Sequence, residues 1–184
     1  MIYPVLVYGS PSLKQQSKPV TDDFPDLGKL VDDMFETMYA AEGVGLAAPQ
    51  IGANVRIVVL DASPAAEDDP RLKGFRRVLI NPEIYEESEY EVSLNEGCLS
   101  VPGIREDLYR PEWVKVRYLD RDLKPCDELF EGFPARIAQH EIDHLDGILF
   151  VTHFTPLRKT LLQGKLSGMS KGKYKAAYKT RQSK

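Results

Sequence analysis

Cysteine and histidine are scarce in this chain, and long apolar runs are absent. The two cysteines, Cys98 and Cys126, are too few for a disulfide framework, so both are expected as thiols open to other chemistry. No apolar stretch nears the roughly 20 residues that span a bilayer, so no membrane segment is expected. The opening MIYPVLVYGSPSL has neither the leader and apolar region of a secretory signal nor the arginines of a transit peptide, which makes the cytoplasm the expected location. Acidic residues are missing from the end: none follows Asp146, while residues 158–184 hold 9 of the 24 Lys and Arg. The net charge of -4 thus conceals an acidic body and a basic end. From about residue 165 to 184 this composition predicts a basic, solvated and partly disordered tail. Repeats are lacking too, and 184 residues with 42% hydrophobic content suit one domain over 1–184.

Local patterns supply the elements. Leu27, Leu30, Val31, Met34, Phe35, Met38 and Tyr39 recur at steps of three and four, the stripe of an amphipathic helix, with Gly43 expected as its C-cap. RIVVL reads as a short strand, residues 62–73 as a polar surface loop, and RRVLINPEIYEESEYEVSLNEG as one or two further strands. PEWVKVRYLDRDLKPCDELFEG has β-branched and aromatic runs broken at DRDLKP, as in a hairpin with its turn. Helical periodicity returns from residue 133 to about 145. Helix, many strands, helix is the order of an α+β fold, with antiparallel or mixed β-sheets packed around a central helix.

Two of the three histidines stand in QHEIDHLDGILF, residues 139–150. On a helix, positions i and i+4 lie one above the other, so His140 and His144 can aim two imidazole nitrogens at one metal ion while Glu141 reaches a water on it. A bare HExxH recurs by accident, and context has to carry the reading. The metzincin spacing fails because Phe150 stands where its third histidine belongs. No Glu follows Glu141, so the downstream carboxylate of other zinc peptidases is missing, and the third ligand is sought upstream. There NEGCLSVPG sets Cys98 among small and turn-forming residues; a thiolate at that point would complete a Cys and two His set with a fourth position open. A lone cysteine beside a turn is more often a buried small residue, and Cys126 is read as structural. In GVGLAAPQ, glycines flanking Val44 let main chain approach a bound molecule, and Gln50 offers an amide to a developing oxyanion. Phe133 and Ile137 share the helix face of His140 and are expected to wall an apolar pocket.

Taken together and in order, GVGLAAPQ, EGCLS and QHEIDH resemble the three signature motifs of the peptide deformylase family, and residues 1 to about 160 match its length and layout. The resemblance implies a single catalytic domain that removes the formyl group from the N-terminal formylmethionine of nascent polypeptides and releases formate. It implies Cys98, His140 and His144 as ligands of one divalent metal ion per chain, commonly Fe²⁺, with Zn²⁺, Ni²⁺ or Co²⁺ able to take its place. Glu141 would be general base and then acid as metal-held hydroxide attacks the formyl carbon, with Gln50 and the Leu99 backbone N–H stabilising the oxyanion. Arg105 would lie near substrate, and Arg110 would pair with Glu96. The methionine side chain is expected against Phe133 and Ile137, and the substrate backbone as an added strand beside Gly43, Val44, Gly45 and the VPG segment. Two rivals stand beside this. A metallopeptidase would share the His and Glu chemistry, and a binding module with a structural metal would need His153 or Cys126 as a fourth ligand. The basic end, free of acids, also suits a phosphate backbone such as the ribosome's.

Overall fold

The structure, a computed structural model, describes residues 1–182. In chain order its elements are β1 (Val5–Leu6), α1 (Leu27–Ala40), β2 (Gly45–Ala47), β3 (Ile57–Asp61), β4 (Arg76–Glu87), β5 (Glu91–Gly97), β6 (Arg105–Pro111), β7 (Trp113–Leu119), β8 (Pro125–Glu131), α2 (Gly132–Leu145), α3 (Pro156–Ser170) and β9 (Thr180–Arg181). Five strands form an antiparallel sheet in the order β2-β3-β4-β7-β8; β5 and β6 form a separate hairpin, and β9 pairs in parallel with β1. The fold is α+β, as its periodicities predict.

Helix α2 is central. Eleven of its fourteen residues are buried, so it presents no fully solvated face and must satisfy its polar side chains internally. One side packs on the sheet through Ala135, Ile137, Ala138 and Ile142, in a cluster with Val58, Leu60, Val114 and Phe130. A second cluster gathers Cys98, Val101, Leu108 and Phe150 with residues of β1 and α3. A third seats the apolar stripe of α1 on Leu46, Ile57 and Val59. The 12-residue strand β4 reaches both β3 and β7 because it bends at a bulge: Asn81 takes φ 50, Pro82 brings no N–H, and the Asn81 amide clasps Val20 at 2.8 Å in both directions.

Two expectations are revised. Helix α1 ends through Glu42, not Gly43: Ala41 is the C-cap, Glu42 adopts φ 55, and the Gly43 N–H returns to Met38 O at 2.9 Å, closing a Schellman turn. Up to residue 182 the basic end does not leave the body as expected from residue 165, and residues 183 and 184 of that tail lie outside the described residues. Residues to Ser170 continue α3, whose Leu166 and Met169 are buried, and the chain then crosses back to add β9 beside β1. A weak apolar pattern interrupted by Gly164 and Gly168 hid that helix. Among the described residues, no helix is long and apolar enough to cross a membrane.

Candidate active site

The i, i+4 geometry of α2 stacks His140 and His144 on successive turns, with ring centroids 5.2 Å apart. Strand β5 ends at Gly97, and the turn that follows brings Cys98 against them. Its Sγ lies 3.3 Å from His144 Nε2, and one ligand atom from each of Cys98, His140 and His144 falls within 4.8 Å of the others. One sulfur and two imidazoles within that span are the donor set of a borderline cation such as zinc or iron. Electrostatics agree with the donor set. Burial disfavours charge on both rings; at His144 this, with His140 beside it, holds the pKa well below the ordinary value, whereas at His140 the Cys98 sulfur and the Glu96 carboxylate outweigh burial and push it well up. His140 therefore favours its charged form and His144 its neutral one.

His140 is fixed from behind. Its Nδ1 meets Glu96 Oε2 at 2.9 Å, leaving Nε2 to face the cysteine. Glu96 is buried and surrounded by donors: Arg110 Nε at 2.6 Å, Arg110 Nη2 at 3.2 Å and Arg136 Nη1 at 2.7 Å. Burial alone would raise its pKa, but the hydrogen bonds from His140 and Arg110 prevail and hold it well below the usual carboxylate range. Glu96, expected beside substrate, borders the cavity and is at the same time an anion that orients His140. Arg110 extends the network to Asp143 Oδ2 at 2.8 Å, and that same oxygen receives His153 Nε2 at 2.8 Å. His153 is committed there, and Cys126 lies on β8 with its sulfur 3.7 Å from Lys124 O, so neither joins the ligand set.

Glu141 follows its ligand neighbour in sequence but faces a different setting. Its Oε2 is buried with no hydrogen-bond partner among the described residues, and burial pushes its pKa up to about 7 although the His140 charge opposes this. A carboxyl in that range can both take and return a proton at neutral pH. Gln50 is aligned by its own turn: the Ala47 N–H donates to Oε1 at 2.8 Å, which directs Nε2 toward Ser100 Oγ at 3.1 Å and Cys98 Sγ at 3.9 Å.

These groups lie along a cavity of about 550 Å³. Gly43, Val44 and Gly45 form one side, Phe133 and Ile137 another, and Leu99 borders it beside Cys98. A Cβ on Gly45 would fall 2.6 Å from Glu141 Oε1 and 2.7 Å from Ile137 Cγ2, and one on Gly43 would fall 2.9 Å from Leu99 Cδ1. Close approach, rather than unusual backbone angles, is what these glycines provide. Arg105 stands exposed at the rim, its Nε 2.7 Å from Asn95 Oδ1. Sequence reasoning missed Arg136, although it sits four residues before His140 on the same helix; a charged residue on a face otherwise expected to be buried was the available signal. It also missed Tyr178, whose hydroxyl donates to Leu99 O at 2.7 Å, and Ser100. Ser100 closes the EGCLS motif, whereas no local pattern marked Tyr178.

Comparison with known proteins gives a consistent result. Residues 2–160 match the family model described as polypeptide deformylase. The chain is 47% identical over 179 residues to a peptide deformylase of Cytophaga hutchinsonii, covering 97% of this chain and 96% of that one. It is 43% identical over 188 residues to that of Christiangramia forsetii, covering 98% and 96%. Among solved structures it is similar to a peptide deformylase from Legionella pneumophila, with TM-score 0.81, 41% identity and coverage of 93% and 96%. It is similar also to the Met-Ala-Ser-bound class I type b peptide deformylase from Acinetobacter baumannii, with TM-score 0.76, 40% identity and coverage of 84% and 99%.

Proposed function

Because the chain belongs to the polypeptide deformylase family and is an enzyme of that type, we propose that it hydrolyses the N-formyl group of formylmethionyl nascent peptides by a metal-assisted route in the cavity beside α2. The observation that carries this is the convergence of Cys98, His140 and His144 next to a buried carboxyl, Glu141, whose pKa sits at about 7.

Cys98, His140 and His144 would hold one divalent cation; Fe²⁺ is the occupant proposed in the cell, with Zn²⁺, Ni²⁺ or Co²⁺ suited to the same donors. When bound, such an ion supplies Lewis acidity and brings the pKa of its water from 15.7 toward about 7. Glu141 accepts the proton of the attacking water as its oxygen bonds to the formyl carbon. The carbon–nitrogen bond then breaks, formate departs, and Glu141 delivers the proton to the leaving amine. Gln50 Nε2, held by the Ala47 N–H, and the Leu99 N–H donate to the oxygen that gathers charge, each aligned donor being worth roughly 3 to 4 kcal/mol. Phe133 and Ile137 receive the methionine side chain, while Gly43 to Gly45 and the VPG segment accept the peptide backbone as an added strand. The Acinetobacter relative binds Met-Ala-Ser, the tripeptide that formyl-Met-Ala-Ser would leave here. The exposed Lys and Arg of α3 and beyond suit contact with ribosomal phosphates, which would bring the enzyme to its substrate in the cytoplasm.

Anaerobically purified protein should release formate from formyl-Met-Ala-Ser and leave unblocked Met-Ala-Ser intact. Cleavage of the unblocked peptide instead would turn the assignment to a metallopeptidase.

A further inference from the structure

The part of the chain matched by the family model ends at residue 160, yet the cavity does not close without residues further on. After α3 the chain reverses at Gly172, φ 79, and residues 175–178 line the cavity. The segment is pinned at both ends, before it by the Lys173 N–H donating to Gly168 O at 2.8 Å and at its far end by three hydrogen bonds. Val5 N–H donates to Lys179 O at 2.9 Å and Val7 N–H to Arg181 O at 3.1 Å, while Gln182 Nε2 returns to Met169 O at 2.5 Å. Between those anchors it touches both loops that carry the chemistry. Tyr178 Oη donates to Leu99 O at 2.7 Å, and Arg181 Nη2 donates to Ile51 O at 3.2 Å, one residue past Gln50.

We propose that residues 175–181 form a strap belonging to the catalytic apparatus, in which Tyr178 is a positioning residue for the Leu99 main chain beside Cys98. This deepens the deformylase reading and rests on it. The Leu99 carbonyl, gripped by Tyr178, fixes the rotation of that residue; the Ser100 carbonyl is gripped in turn by the Tyr8 N–H at 2.8 Å. The Leu99 N–H lies in the preceding peptide plane, whose Cys98 carbonyl accepts from the Val101 N–H at 2.9 Å, so with the Leu99 plane held by Tyr178 the turn on both sides of Leu99 is fixed and its N–H has little freedom to swing. Donors to a developing oxyanion act over a narrow span of distance, so a small rotation lowers the rate of the chemical step while leaving ground-state contacts in place.

The test uses metal-loaded Tyr178→Phe, which keeps the ring and removes only the hydroxyl, with Tyr178→Ala and Arg181→Met beside it. Rates on formyl-Met-Ala-Ser are normalised to bound metal, and Met-Ala-Ser affinity is measured by calorimetry. Tyr178→Phe should lose about tenfold in kcat with KM and tripeptide affinity within about twofold of the parent. Tyr178→Ala should also weaken tripeptide binding, since it removes part of the cavity wall, and Arg181→Met should lower kcat in the same sense through the Gln50 turn. A Tyr178→Phe enzyme with unchanged kcat, or with a loss confined to KM, overturns the proposal. Failure of the parent protein to release formate would instead overturn the deformylase reading beneath it.

Discussion

Glu96 and Glu141 are two glutamates of nearly equal burial, 4% and 5% exposed, on either side of the same histidine, and they hold opposite electrostatic states. Glu96 is ringed by Arg110, Arg136 and His140 and stays ionised. Glu141 has one oxygen without a partner and binds its proton up to about pH 7. Burial acts alike on both; the donors differ. A buried carboxylate surrounded by cations is a fixed brace, whereas one left short of donors is a proton carrier, and this chain makes one of each from the same residue type.

The comparison can be broken most severely at Glu141. Glu141→Gln keeps the shape and removes the proton carrier, so kcat for formate release should fall by about 10³-fold, roughly 4 kcal/mol of barrier, with metal content unchanged. A variant retaining a tenth of the activity would deny Glu141 its proton-transfer role. Glu96→Ala attacks the brace. Arg110 would keep only Asp143, and Arg136 only the Leu108 and Val92 carbonyls with no carboxylate, so denaturant unfolding should reveal a loss of about 3 kcal/mol; because His140 also loses its orienting partner, metal affinity should drop by about tenfold or more. Unchanged stability would mean that the two arginines find other partners at no cost.

The smallest effect sharpens the contrast through pH. Both groups ordinarily titrate near 4.5. Glu96, held lower in the fold, contributes stability that is complete above about pH 4.5 and is lost as pH falls below it. Glu141, raised to about 7, contributes stability that is complete below about pH 4.5 and is lost as pH climbs to about 7. Chelator-treated protein unfolded at a series of pH values should therefore become less steep on its acid side in Glu96→Gln and less steep between about pH 4.5 and 7 in Glu141→Gln. The same change in both variants would erase the distinction drawn here.

The parts of the site that were legible in the sequence are those fixed by local geometry. An i, i+4 pair on a periodic stretch puts His140 and His144 on one face whatever surrounds them, and of the two cysteines Cys98 is the one set among turn-forming residues near the end of a strand. The β7–β8 hairpin was legible for the same reason, its break at Asp120 to Lys124 being written in turn residues. What escaped depends on distant partners. Arg136 reaches Glu96 across 40 positions and Tyr178 reaches Leu99 across 79, and nothing near either residue announces the pairing. The left-handed turn at Glu42 escaped because Gly43 beside it was the residue expected to supply that conformation. Its true requirement, clearance from Leu99, is a tertiary one.

The pairing of β9 with β1 joins Thr180 to Val5 and Arg181 to Leu6. During synthesis the early strand must wait until Thr180 and Arg181 have cleared the exit tunnel before its neighbour exists. The helix that carries His140 and His144 can form well before that, so both rings are in place while the clasp over Leu99 is still missing. The surroundings of Cys98 are therefore complete only once the β1–β9 pair has closed.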